Sequence, residues 1–335
     1  MHSTPLSRRR AIQTLFCSSA ALALNVRPDR AAAAIAKEAL HLLMIGDFGT
    51  GGKDQVKVSQ AMQKFVTDSG VKPAGLWLLG DNFYSKDKSG FSTESQRWAK
   101  EIEEMYPASV FPGPMWAVLG NHDYHDNAGG EKVQLAYAQK PGVRWQMPSK
   151  WYRFDLGPQA QPLVTFICLD TNLPAVSGGP DKKTKQPRNS MTAAEEKEQL
   201  AWLKAELAKP RAPFTIAVGH HPLYSNGSHG DTKALLAQWE PLFQEHKVHA
   251  YLCGHDHDLQ HLEMAGRFTT HLLSGGGGAS TRKLPNERQM PYGKDVHGFT
   301  HLQITAETLT FTHHSADGAV LHTFAKKLDG SFRVG

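Results

Sequence analysis

Five times along this chain an apolar run of strand length ends in glycine, and that glycine is followed at once by aspartate, asparagine or histidine. The runs at 42–45, 76–79, 116–119, 215–218 and 250–253 lead into Gly46-Asp47, Gly80-Asp81, Gly120-Asn121-His122-Asp123, Gly219-His220-His221 and Gly254-His255-Asp256-His257. In open α/β sheets, ligands bind beyond the carboxyl ends of the parallel strands, where each of these residues would lie. The glycine lets the chain turn sharply and approach an ion with no Cβ in the way. One Gly-Asp after a strand is by itself an ordinary turn. Five strand ends that all deliver metal-ligand side chains require a fold that brings them to one place.

The first half of the chain alternates strand-length runs (40–45, 76–79 and 116–119) with amphipathic helical stretches (55–65 and 95–105). Such alternation predicts parallel strands joined by crossover helices. A longer helix is expected over 192–208, opened by Thr192 with Glu195 three residues on, a capping-box signature, and closed by Pro210. Beyond Val248 the pattern changes to strands with short turns, at 250–253, 259–264, 269–273, 300–304, 309–313 and 320–324. The expected fold is therefore α/β, a four-layer α/β/β/α sandwich of two mixed β-sheets flanked by helices. From residue 37 onward there is no low-complexity linker and no repeat, so 37–335 is read as one catalytic domain. The segment 173–189 holds two glycines, three prolines and the basic run Asp181-Lys182-Lys183-Thr184-Lys185. It reads as an exposed loop, either functional or a plain surface excursion.

Donor chemistry narrows the ions. Carboxylate, amide oxygen and imidazole together suit first-row transition metals rather than calcium or a thiolate zinc site. Tyr84 lies three residues after Asp81. A phenol ionises only near pH 10 unless a strongly Lewis-acidic ion holds the phenolate, so a tyrosine ligand favours Fe(III). Taken alone, Tyr84 could equally be a half-buried aromatic of its loop.

The set G-D-F-G, G-D-N-F-Y, G-N-H-D, G-H-H-P and G-H-D-H resembles the calcineurin-like metallophosphoesterases, and the tyrosine after the second motif resembles the purple acid phosphatases among them. W-Y-R-F, A-Y-L-C-G-H-D-H-D-L-Q and L-L-S-G-G-G-G extend the similarity over nearly all of 37–335, toward the small, tartrate-resistant mammalian type. The resemblance implies that Asp47, Tyr84 and His257 hold the iron, that Asn121, His220 and His255 hold a second divalent ion (Fe, Zn or Mn), and that Asp81 bridges the two. It also implies the double-sheet sandwich already read from the strand pattern, and a substrate class of small phosphomonoesters.

Two ions about 3.5–4 Å apart can bind both the attacking and the leaving oxygen of an in-line phosphoryl displacement, with a metal-bound hydroxide as nucleophile. The leaving alkoxide needs a proton, and histidine suits mildly acidic operation. His122 and His229 match substrate-side histidines of the family and are the candidate catalytic residues. His122 has the alternative of partnering Asp123. Before His229 stands Ser228, where the mammalian type has an acidic residue. His221 is expected to support its neighbouring ligand, and His313, His314 and His322 to be surface or packing residues. Two other readings fit the same motifs: a manganese- or zinc-dependent phosphodiesterase whose Tyr84 binds no metal, and an exported iron-binding or redox protein.

The net charge of +5 and pI of about 9.0 would suggest a polyanion-binding surface. However, residues 1–36 carry Arg8, Arg9, Arg10, Arg27 and Arg30 against Asp29, so four of the five surplus charges sit there. The remainder is nearly neutral, which argues against a nucleic-acid partner. Residues 1–36 read as an export signal: arginines, a weakly apolar stretch to about Leu24, then Ala34-Ile35-Ala36. The arginine pair resembles the twin-arginine signal that carries folded proteins, with Ala11 and Ile12 where that signal has Phe and Leu; a plain secretory signal is the alternative. The expected mature protein starts near Lys37, is periplasmic or secreted, has no membrane segment after signal removal, and meets the twin-arginine export machinery in transit. Cys17 leaves with the signal, and Cys168 and Cys253, both in apolar runs, read as buried thiols rather than a disulfide framework.

Overall fold

Leu42, Leu43, Met44 and Ile45 are all fully buried, which a strand achieves only when both faces of its sheet are covered. The computed structural model describes residues 39–85, 91–127, 129–285 and 288–335, all within the unit Glu38–Gly335. The export-signal reading of 1–36 lies outside the described residues.

In chain order the strands are β1 (Leu40–Ile45), β2 (Gly75–Leu78), β3 (Met115–Ala117), β4 (Trp145–Gln146), β5 (Tyr152–Leu156), β6 (Val164–Cys168), β7 (Phe214–Val218) and β8 (Ala250–Cys253). They continue with β9 (Leu259–Glu263), β10 (Thr270–Ser274), β11 (Tyr292–Lys294), β12 (Gly298–Ile304), β13 (Thr308–Ser315), β14 (Val320–Lys327) and β15 (Phe332–Val334). The helices are α1 (Lys53–Ser69), α2 (Asn121–His125), α3 (Gly130–Tyr137), α4 (Ala193–Ala208), α5 (Lys233–Gln238) and α6 (Glu240–Glu245).

An eight-stranded sheet runs β15-β14-β13-β12-β1-β2-β3-β4, and a seven-stranded sheet runs β11-β9-β10-β8-β7-β6-β5. Both are mixed. Strands β1 to β4 are parallel neighbours, and β12 joins β1 antiparallel. In the other sheet β6, β7, β8 and β10 run parallel, with β5 and β9 antiparallel to them. The period-two alternation of a strand divides β7 between two cores. Phe214, Ile216 and Val218 join the core that also holds β1, β2 and β3 side chains, while Ala217 joins a second core with Leu203 and Leu207 of α4 and Phe243 of α6. Helix α1 lays Val58, Met62 and Val66 against the eight-stranded sheet. The four-layer order expected from the sequence is thus the observed one.

Strand β8 has the expected bounds, and α4 begins with the expected reciprocal cap: Glu195 N donates to Thr192 Oγ1 (3.2 Å) and Thr192 N donates to Glu195 Oε2 (2.7 Å). The stretch 95–105 differs, being a π-helical segment over Trp98–Glu103 rather than an α-helix. His313, His314 and His322 are buried packing residues of β13 and β14, not surface ones. Cys168 and Cys253 are free and buried, and among the described residues no helix is long and apolar enough to cross a membrane.

Candidate metal centre

Each of the five motifs emerges from the carboxyl end of a parallel strand: Asp47 after β1, Asp81 after β2, Asn121 after β3 at the start of α2, His220 after β7, and His255 and His257 after β8. The first three belong to one sheet and the rest to the other, so the seven candidate ligands meet where the two sheets' strand ends converge. Two glycines show why the motif needs no side chain there. A Cβ on Gly120 would collide with the amide nitrogen and Oδ1 of Asp81, and one on Gly254 would collide with Asp47 Oδ2. The chain also adopts left-handed backbone at Asp47 (φ 57°), Asp81 (φ 52°) and His255 (φ 70°). Strain of about 1–3 kcal/mol at such a residue persists where surrounding structure enforces it, and it clusters at functional sites.

The donor atoms fall into two sets that share Asp81. Tyr84 Oη lies 3.0 Å from Asp81 Oδ2, 3.4 Å from Asp47 Oδ1 and 3.4 Å from His257 Nε2. His220 Nε2 lies 3.2 Å from Asn121 Oδ1, 3.4 Å from Asp81 Oδ1 and 3.3 Å from His255 Nδ1. Ligands at about 2.0–2.2 Å from a tetrahedral or octahedral ion stand about 2.8–3.6 Å from one another, the spacing of both sets. Tautomers are fixed from outside. His220 Nδ1 donates to the Leu79 carbonyl (2.9 Å) and His257 Nδ1 to the Ser280 carbonyl (2.7 Å), which turns each Nε2 toward the shared space. Carboxylate, amide and imidazole acceptors therefore converge on each other, an arrangement that a cation resolves. Asp47, Asp81 and His257, and separately His220, His221 and His255, are groups able to hold a metal ion.

Electrostatics point the same way. Burial would raise Asp81, but His220 and His122 outweigh it and hold its carboxyl well below the usual range. Burial lowers His220, yet Asp81 and Asp47 drive it up to about 9, so the pocket demands positive charge at that nitrogen, as a proton or as a metal ion. Burial, with Asp81 and Asp47 adding to it, pushes the Tyr84 phenol well above its ordinary value. A tyrosinate there needs a strong Lewis acid.

Asp123 is a buried tie between ligand loops and is not the partner of His122. Its carboxylate accepts from Gly120 N (2.8 Å), Asn82 N (3.2 Å), Phe83 N (3.1 Å), Asn82 Nδ2 (3.3 Å) and Gln134 Nε2 (2.8 Å). His122 instead pairs through Nδ1 with Asp126 Oδ2 at 2.7 Å, while its backbone N–H donates to Asp81 Oδ1 at 2.8 Å. His229 pairs through Nδ1 with Asp256 Oδ1 at 2.7 Å, and its ring lies 4.2 Å from that of His255. His221 contacts Thr171 Oγ1 through Nδ1 at 2.7 Å, beside its neighbouring candidate ligand His220. Asp126, Asp256 and Thr171 were not singled out from sequence. Asp126 alone had a legible signal, the i,i+4 spacing from His122 on one helical turn. His122, His221, His229, His255 and Asn121 line a cavity of about 490 Å³ that residues of the 173–189 loop also line.

A calcineurin-like phosphoesterase family model matches residues 40–259, a span containing every candidate ligand. The chain is 32% identical over 253 residues to tartrate-resistant acid phosphatase type 5 of Oryctolagus cuniculus, covering 72% of this chain and 76% of that protein. It is 32% identical over 297 residues to purple acid phosphatase 7 of Arabidopsis thaliana, covering 84% of each. Among solved structures, GAP50, the anchor in the inner membrane complex of Plasmodium, superimposes with a TM-score of 0.70 at 22% identity, over 86% of this chain and 88% of that one. That last likeness concerns the fold alone, and it shows why function has to be argued from the site.

Proposed function

The chain belongs to the calcineurin-like phosphoesterase family, and from that premise we propose that it is an exported acid phosphatase that hydrolyses phosphate monoesters at a binuclear centre containing tyrosinate-bound Fe(III). Family membership makes it a metal-dependent phosphoesterase and a hydrolase; the monoester class, the iron and the export are our reading. Asp47, Tyr84 and His257 would hold Fe(III), Asn121, His220 and His255 a divalent ion (Fe, Zn or Mn), and Asp81 would offer one oxygen to each. The observation that carries this is the place of Tyr84 Oη, 3.0–3.4 Å from Asp81, Asp47 and His257 donors. When bound, the ions supply Lewis acidity that activates water and neutralises charge developing on the phosphoryl group.

The remaining work belongs to side chains. His122, anchored to Asp126, is the acid that protonates the leaving oxygen. Burial lowers its basicity, but the carboxylates of Asp81 and Asp126 outweigh burial and raise it, so it keeps its proton in mild acid. His229, anchored to the buried Asp256, stands beside His255 on the same cavity and orients the phosphoryl group. A mature protein starting near Lys37, delivered to the periplasm or outside by the twin-arginine machinery, accounts for the basic leader.

Metal analysis with a visible spectrum tests the centre. The expected result is a violet protein with about two ions per chain and turnover of p-nitrophenyl phosphate; a colourless protein with stoichiometric zinc or manganese that prefers bis-esters would overturn it. One observation favours that second reading, a manganese or zinc phosphodiesterase: Tyr84 Oη is well placed to donate as a neutral phenol to Asp81 Oδ2.

A further inference from the structure

The basic loop over the site is not absorbed by the chemistry above. Between Gly179 and Arg188 it folds back on itself: Pro180 and Pro187 bridge, Asp181 N donates to the Gln186 carbonyl (2.8 Å), and Arg188 N donates to the Gly179 carbonyl (3.2 Å). Asp181 Oδ1 accepts from Lys183 N and Thr184 N, each at 2.9 Å, which fixes the tip. The base is fastened to the α2 region on both sides. His125 Nε2 contacts the Ser177 carbonyl (3.1 Å), and Asn189 Nδ2 donates to the Tyr124 carbonyl (3.3 Å). Arg188 is therefore held at an anchored position rather than at a swinging tip.

Arg188 lines the same cavity as Asn121, His221 and His255. Asp181 Oδ2 forms a partly exposed ion pair with Arg188 Nε at 3.6 Å, too long for a hydrogen bond, so among the described residues the guanidinium makes no side-chain hydrogen bond and its donors remain open to an oxyanion. The other carboxylate on the cavity, Asp126, is occupied by His122. Lys182, Lys183 and Lys185 add positive charge to the same loop, against Asp181 alone. About 490 Å³ also exceeds what a bare phosphoryl group needs and is in the range of small-metabolite sites.

We propose that Arg188 receives a second anionic group of the substrate, so that the preferred monoesters carry a carboxylate or a second phosphoryl group a few bonds from the scissile one. A planar guanidinium fork binds either oxyanion in two-point fashion, and a half-exposed charged contact of this kind is worth roughly tenfold in affinity. The inference rests on the phosphatase reading of the site and names the substrate class for it.

The test uses matched esters on the metal-loaded protein. 3-Phosphoglycerate is compared with glycerol 3-phosphate, which lacks the carboxylate, and propane-1,3-diol bisphosphate with the corresponding monophosphate. Wild type should favour the doubly anionic member of each pair by about tenfold in kcat/KM, mostly through KM. Arg188→Gln should bring both ratios toward unity, and Arg188→Lys should restore part of each, which a merely structural role would not do. A preference in the first pair alone identifies a carboxylate subsite, and in the second alone a phosphoryl subsite; either upholds the proposal. Wild-type ratios near one, or ratios unchanged in Arg188→Gln, overturn it while leaving the phosphatase reading intact. No turnover of any ester, p-nitrophenyl phosphate included, overturns both.

Discussion

Replacing His122 by glutamine should damage the enzyme only where the departing oxygen needs a proton. The ring is restrained by Nδ1 on Asp126 (2.7 Å), by its backbone N–H on Asp81 (2.8 Å) and by tilted packing against the Tyr84 ring, centroids 4.5 Å apart. Positioned general acids contribute about 10²–10⁴. The His122 side chain is 31% exposed, so water can partly take over its role, which puts the expected loss at the lower end, about 10²–10³ on glycerol 3-phosphate. That corresponds to about 2.7–4 kcal/mol of transition-state stabilisation. With p-nitrophenyl phosphate the leaving phenolate is stable unprotonated, and the loss should be under about threefold. Asp126→Asn should give the same substrate-dependent pattern at about three- to tenfold, since a partly exposed ion pair is screened. The assay is steady-state kcat on both esters with metal content measured on each variant. Equal losses on the two esters would mean that His122 binds or positions instead; an undiminished rate on glycerol 3-phosphate would refute the acid role outright.

Tyr84→Phe should abolish the visible charge-transfer band while most of the bound metal is retained; a band that survives would remove Tyr84 from the iron. Asp81→Ala should lose both ions by metal analysis, whereas loss of one alone would contradict a shared carboxylate. Asp123→Ala strips the acceptor from five donors and should lower unfolding stability by about 3–5 kcal/mol in urea titration; a change under about 1 kcal/mol would show that the ligand loops hold without it. His271 is fully buried and neither ring nitrogen has a hydrogen-bond partner among the described residues, and burial pushes it down to about 3. The unfolded chain takes up that proton near pH 6.5 and the folded protein does not, so acidification favours unfolding, by about 2 kcal/mol from this residue between pH 6.5 and 5. His271→Leu should flatten that decline in urea titrations at the two pH values; parallel slopes would refute the assignment.

The parts of the site that were legible are those written in contiguous residues. A buried run followed by Gly and a ligand fixes both a strand and the direction its end faces, and for β8 the run and the strand coincide at Ala250–Cys253. Thr192 and Glu195 announce α4 because the cap is local chemistry. What could not be read depends on chain segments far apart. The His122–Asp126 pair is the exception: it is a local i,i+4 contact at the end of the five-residue α2, where the sequence also offers Asp123 as an alternative partner. Asp256 sits between two candidate ligands, yet its side chain turns to His229 and Ser225, contacts that only the tertiary fold creates. The same holds for the burial of His313, His314 and His322. Their strand-like context does not say that both faces of β13 are covered: His313 and His322 meet Tyr292 on one side, and His314 packs on Phe299 and Phe65 on the other.

Asp81 is where these levels of organisation meet. Its backbone is left-handed at φ 52°, its Oδ2 faces Tyr84 and its Oδ1 faces His220. Tyr84 follows it in the loop after β2 of the eight-stranded sheet, and His220 follows β7 of the seven-stranded one. Each donor set likewise draws on both sheets: Asp47 and Tyr84 with His257, and Asn121 with His220 and His255. Neither set can exist in a half-assembled molecule, so an ion bound there would add its binding free energy to the packing of one sheet on the other. The backbone hydrogen bond from His255 N to Asp47 Oδ2, 2.7 Å long, also joins the two sheets' loops. It holds the Asp47 carboxylate so that Oδ1 remains directed at Tyr84 and His257. The left-handed residues, the side-chain-free glycines and this cross-sheet bond thus act together: each restrains a donor through the backbone, which favours one coordination geometry over a flexible chelate that would accept many.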